Sequence, residues 1–116
     1  MTQTPEARLA EAGHAIPVAA APIAAYVPTV QVGNLLHISG QVSFKDGAIV
    51  TGRVGESLDV EGGKAAAELC GLMLIAQMKA ALGDLSRVER IVKLGVFVTS
   101  TPDFTDQPLV ANGASE

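Results

Sequence analysis

The sequence predicts an α+β fold on three observations. A Gly33-Asn34 pair joins two β-prone stretches, an apolar helical pattern runs up to Leu82, and an alternating aliphatic segment follows at Ile91 to Thr99. The 116 residues, 48% hydrophobic at a net charge of −4, suffice for one two-layer core. They are expected to form a single domain, 1–116, with an N-terminal helix and arm over 1–25 and a core over 26–116.

Thr4-Pro5-Glu6 places a capping residue ahead of proline at the first helical position, and Gly13 offers the stop of a short N-terminal helix. Ile16 to Ala25 carries Pro17 and Pro22 and reads as an irregular arm. Thr29–Val32 and Leu35–Ser39 form the hairpin across Gly33-Asn34. Gln41–Phe44 continues the second strand or bends away at Gly40, and Asp46-Gly47 turns the chain into a third strand within Ala48 to Val54.

Ser57 or Asp59 caps the long helix, and Gly83 stands where a left-handed C-terminal cap belongs. Ala65, Ala66, Leu69, Cys70, Met73, Ala76 and Ala80 share one face, while Leu72, Leu74 and Ile75 interrupt the polar side. A helix apolar on more than one side in so small a domain asks for cover beyond its own sheet, most simply another subunit. After an Asp84-Leu85-Ser86 turn, Ile91–Thr99 reads as a strand whose Val92, Leu94, Val96 and Val98 face the helix. A last helix, capped by Asp106 or Gln107, spans Pro108 to Glu116.

An acidic chain with three Phe, one Tyr and no basic run offers little to a phosphate backbone or to stacked bases, so nucleic acid is not an expected partner. The longest unbroken aliphatic run in the long helix, Leu72 to Ala76, is short of a span, and no membrane partner is expected. The lone Cys70 excludes an intramolecular disulfide framework, and one Cys with two His cannot complete a zinc site without carboxylates or another chain. A reduced, cytoplasmic setting without an export signal is the expectation.

Two stretches together carry a resemblance. Tyr26–Val42, YVPTVQVGNLLHISGQV, with Arg87–Phe104, RVERIVKLGVFVTSTPDF, resembles the RidA/YjgF family of small proteins that hydrolyse reactive enamines and imines. The Thr4–Gly13 helix and the Thr105–Pro108 insertion are similar to its YjgF-like subgroup with longer chains. The resemblance implies a chorismate-mutase-like fold, a mixed sheet packed against two helices, assembling as a homotrimer with small-molecule pockets between subunits. It also implies hydrolytic deamination of 2-aminoacrylate-type intermediates to 2-oxo acids and ammonia, with no metal or organic cofactor.

By position, the resemblance puts Tyr26 on the pocket wall and Ser39 with the Gly40 backbone at the substrate's carboxylate or imine end. Phe104 and Asn112 come from the adjoining edge. The family's carboxylate-binding arginine, its water-handling glutamate and the strands that complete the sheet are expected beyond Glu116. Arg8, Arg53, Arg87 and Arg90 do not match that arginine's motif, so catalytic residues stay unassigned and the chain as given is expected to be impaired.

Each residue also has a plainer reading. Tyr26 can fill an interface, Gly40 can mark a bend, and His37 can be a structural histidine. Cys70, Met73 and Met78 read as packing, and Phe104 as a core anchor. The alternative function is a non-catalytic small-molecule-binding or regulatory trimer of the same fold. A ribonuclease role, also attached to the family, is disfavoured by the acidic charge.

Overall fold

The computed structural model describes residues 4–22, 25–46 and 48–116. In chain order they form α1 (Pro5–Glu11), β1 (Thr29–Val32), β2 (Leu35–Ile38), β3 (Phe44–Lys45), β4 (Ala48–Ile49), α2 (Val60–Leu82), a 3-10 turn (Leu85–Arg87) and α3 (Gln107–Ser115). The chain divides into two compact units, Met1–Gly40 with Met73–Ile91, and Gln41–Leu72 with Val92–Glu116.

In the first unit α1 starts as its sequence dictates. Thr4 Oγ1 accepts from the Ala7 amide at 3.1 Å, Pro5 opens the first turn, and Gly13 leaves the helix at φ +86°. β1 and β2 pair antiparallel from Thr29 opposite Ile38 to Val32 opposite Leu35, and Gly33 takes φ +58° at the first loop position, as a tight hairpin requires. Gly83, at φ +79°, ends α2 by donating its amide to Lys79 O at 2.7 Å, and an Arg87 guanidinium nitrogen donates to Leu82 O at 2.9 Å. In the turn that follows, Asp84 Oδ1 accepts from the Ser86 amide at 2.9 Å, and bonds from Ser86 hold the Asp84 carboxyl below its usual range.

α1 packs on the 3-10 turn, whose Leu85 is buried, and Lys79 Nζ binds Glu6 Oε2 at 3.1 Å. The Glu6 carboxyl titrates below its ordinary value of 4.5, first because its own backbone N–H bonds to it and then because Lys79 does. A carboxyl with a lowered folded pKa stabilises the fold above its unfolded value and loses that contribution as pH falls through the folded value. Glu6→Gln is therefore expected to flatten the acid limb of the stability curve below pH 4.5, read by thermal melts across that range. An acid limb identical to that of the native chain would mean that the pair carries no linkage.

In the second unit β3 and β4 pair antiparallel, Phe44 opposite Ile49 and Lys45 opposite Ala48. Asp46 turns the chain at φ +51°; Gly47, the other expected turn residue, lies outside the described residues. Ser43 closes this hairpin from both groups, accepting from the Val50 amide and donating its hydroxyl to Val50 O, each at 2.7 Å. The bend at Gly40 thus prevails over a continued β2, and the third strand is confined to Ala48–Ile49 instead of reaching Val54. Beyond Ile49 the loop spends its backbone groups locally, as where Ser57 Oγ accepts from the Arg53 amide at 3.0 Å.

Asp59 is the cap of α2: its Oδ1 accepts from the Gly62 amide at 2.7 Å. The core of this unit is Val54, Ala67 and Val110, with Leu58, Val60, Val98, Phe104 and Ala114 packed around it. The buried stripe of α2 differs from the expected face: Ala65 and Ala80 are exposed, whereas Gly63 and Ala67 are buried. A side chain at Gly63 would meet Val54 and Val110, and one at Gly71 would meet the Ala114 backbone at 3.2 Å, so α3 lies where α2 has no side chains. α3 begins at Gln107 without a side-chain bond from Asp106; Gln107 Nε2 instead donates to Phe104 O at 2.9 Å.

The largest departure from expectation is Ile91–Thr99, which forms no strand and joins no ladder among the described residues. Only Val54 bonds its end, donating to Thr99 O at 2.9 Å and accepting from the Thr101 amide at 3.0 Å. Of the residues expected to face the helix, Val92 at 74%, Leu94 and Val96 are exposed and Val98 alone of the four packs on the Val54 cluster, while Phe97 on the other side is fully exposed. β-propensity measures fit to a neighbouring pleated surface, and here no neighbour is within the described residues. The described sheets are accordingly two antiparallel pairs, with parallel contacts reduced to the bridges of Val54 to Leu58 and Ser100.

α2, at 23 residues, is long and apolar enough to cross a membrane by length and composition, which the short aliphatic run at Leu72–Ala76, bounded by Gly71 and Gln77, understates. A helix packed inside a domain meets the same criterion, and Ala67, Met73, Ala76 and Gln77 of α2 are buried within the chain itself.

Candidate functional site

The first unit brings three of the sequence-predicted site residues to one end of its hairpin. Ser39 donates its backbone N–H to Pro28 O at 2.9 Å, extending the β1–β2 register one pair past Thr29 and Ile38. Ser39 is thereby set opposite Pro28, two residues after Tyr26, with Gly40 next along the chain. Tyr26 is 43% exposed, Ser39 half-buried, and a Cβ built on Gly40 meets nothing within 4 Å, so the hairpin end opens outward. A phenol, a hydroxyl and an unobstructed glycine backbone can hold a small polar molecule by hydrogen bonds and ring contact. His37, paired with Val30 on the same hairpin, is exposed.

Phe104 and Asn112 belong to the second unit. The Phe104 ring packs on the Val54, Ala67 and Val110 cluster, its core-anchor reading, and Asn112 is half-buried in α3 with its carbonyl accepting from the Glu116 amide at 2.9 Å. A shallow depression of about 500 Å³ in this unit is lined by Gly55, Glu56, Ser57, Leu58 and Asp59 and includes none of the expected residues.

Two arginines are engaged in structure: Arg53 bonds Ser100 O at 3.2 Å and pairs with Glu56 at 3.5 Å, and Arg87 caps α2. Burial raises the Cys70 thiol pKa, which disfavours the thiolate and suits a packing role. Among the described residues no group of three or more His, Cys, Asp or Glu side chains converges on a metal position. Sequence reasoning missed Gln77, a buried amide on α2 that bonds the N-terminal arm. The available signal was a polar residue between Ala76 and Met78 in an otherwise apolar helix.

The family model described as "YjgF/chorismate_mutase-like, putative endoribonuclease" matches residues 6–116. The chain belongs to the YjgF family. Protein TCP17 of Trypanosoma cruzi is 53% identical over 111 residues, covering 95% of this chain and 69% of that protein. The crystal structure of Atu1372 from Agrobacterium tumefaciens, a protein "with unknown function", superposes with a TM-score of 0.87 at 52% identity, over 95% of this chain and 68% of that one. A structure from Shewanella oneidensis MR-1, described as "a putative endoribonuclease", gives 0.89 at 36% identity over 97% and 76%. The α+β architecture is thus the chorismate-mutase-like fold of the YjgF family.

Proposed function

We propose that this YjgF-family protein, in its complete form, hydrolyses reactive enamine and imine intermediates of the 2-aminoacrylate type, releasing ammonia and 2-oxo acids. The observation that carries the reading is the Ser39 to Pro28 bond, which gathers Tyr26, Ser39 and Gly40 at one open hairpin end. An imine carbon is electrophilic once its nitrogen is protonated, so a site that holds the substrate beside one water supplies much of the rate without a covalent nucleophile. Water adds to the C=N carbon, the C–N bond breaks, the nitrogen leaves as ammonia, and the carbon keeps the water oxygen as the 2-oxo group. In this reading Tyr26 walls the substrate, while the Ser39 hydroxyl and Gly40 backbone bind its carboxylate or imine end. Phe104 and Asn112 belong to the adjoining edge contributed within a cytoplasmic homotrimer.

The test is ammonia and 2-oxo acid release from 2-aminoacrylate generated in situ by a pyridoxal-phosphate enzyme. Addition of the protein in its complete form is expected to accelerate release, and Ser39→Ala to lower that acceleration by about tenfold, the scale of one lost substrate hydrogen bond. A rate left at background overturns the reading. Thermal shifts with 2-oxo acids but no turnover favour a binding or regulatory trimer. Salt-sensitive binding and cleavage of RNA would favour the endoribonuclease named for the family, against a net charge of −4.

A further inference from the structure

We propose that Gln77 is a positioning residue that ties the arm leading to Tyr26 onto α2, and so fixes one wall of the pocket; the pocket half of this statement rests on the deaminase reading. Gln77 is 3% exposed and is the one buried polar side chain among the described residues. Met73 and Ala76 of the same helix are buried with it, and an amide taken out of water there is costly unless it is hydrogen-bonded. Its Nε2 donates to Ala20 O at 2.9 Å, across 57 residues of sequence.

Ala20 belongs to a stretch with neither helix nor strand, bounded by Pro17 and Pro22, which bring no amide donors. Among its described residues no ladder holds this arm, so the Gln77 bond supplies register that secondary structure there does not. Methionine or leucine would fill the same helical position at least as well by propensity. The buried amide discriminates instead: it is satisfied when a backbone carbonyl of the arm sits at one place, and it penalises other settings of the arm. Tyr26 follows Ala20 by six residues and leads directly into the hairpin end. A second tether, Lys79 to Glu6 at 3.1 Å, holds α1 farther upstream and is partly exposed, so it is the weaker constraint on Tyr26.

The chain has no Trp and one Tyr, so its intrinsic emission reports Tyr26 alone. Gln77→Met keeps the volume and removes the donor. In the 116-residue chain it is expected to raise acrylamide quenching of Tyr26 clearly above the native level, the arm having lost one buried hydrogen bond. Lys79→Met is expected to leave Tyr26 quenching at the native level. Gln77→Glu adds a reading that packing alone would not move. Its carboxylic acid can donate to Ala20 O and its carboxylate cannot, so quenching should return toward native as pH falls from about 8 to about 6, burial having raised that pKa.

Native-like Tyr26 quenching in Gln77→Met overturns the proposal, and so does equal loosening by Lys79→Met. If Gln77→Met does not fold, the pH response of Gln77→Glu decides. In the ammonia assay Gln77→Met should raise KM at nearly constant kcat. Absence of ammonia release from the native protein in its complete form would sink the deaminase reading alone, because the Tyr26 emission still judges the tether.

Discussion

Gly113→Ala is expected to unfasten α3 from α2 and to destabilise the protein by about 3 kcal/mol, the upper end for forcing an extra carbon into a packed contact. A Cβ on Gly113 would run into the Lys64 carbonyl of α2, and what it meets is backbone, which cannot rotate away as a side chain would. Relief requires the whole of α3 to move. That helix has nine residues, too short to persist without its packing. Its other attachments converge on the same place: Val110 is buried against Val54 and Ala67, Ala114 packs on that cluster, and Glu116 pairs with Lys64 at 3.4 Å.

Displacing α3 therefore uncovers the core of the second unit. Thermal unfolding should show a fall in Tm of roughly 10 °C for a chain of this size. Gly95→Ala is the internal control. A Cβ there meets nothing within 4 Å, and the change should stay within about 0.5 kcal/mol. Equal melting of the two variants would refute the close α2–α3 approach.

Much of the fold is legible because it is written in local chemistry. Thr4, Gly13, Gly33, Asp59 and Gly83 each mark a helix end or a turn within a few residues of themselves, and each performs that role in the structure. Contacts distant in sequence are where reading stops. Nothing near Gly113 in sequence points to the Lys64 backbone behind it, and nothing near Gln77 points to Ala20, 57 residues away, as the partner of its amide. Of the candidate residues, the setting of Ser39 opposite Pro28, two residues from Tyr26, was legible because the hairpin register is local. Phe104 shows the opposite case: its position near a strand end permits both a core and a pocket role, and only the packing on Val54 and Val110 shows what its ring touches.

Val92→Lys with Phe97→Asp is expected to weaken self-association by at least about tenfold while leaving the circular dichroism of the chain unchanged. The sequence of Val92–Thr99 alternates, with Val92, Leu94 and Val96 at one set of alternate positions and Phe97 in the other. Both sets are exposed, Phe97 at 100% and Val92 at 74%. Exposed aliphatic and aromatic surface on a segment without ladder bonds among the described residues is a template for another chain, combining apolar area with backbone groups open to pairing. The proposed homotrimer would cover such surface. Because neither Val92 nor Phe97 belongs to the Val54 cluster, charging them removes association energy without opening the core. Sedimentation velocity over a concentration series separates the outcomes: an assembling native chain beside a monomeric double variant supports the contact. A native chain that stays monomeric, or a variant that assembles as tightly, removes this segment from any subunit interface.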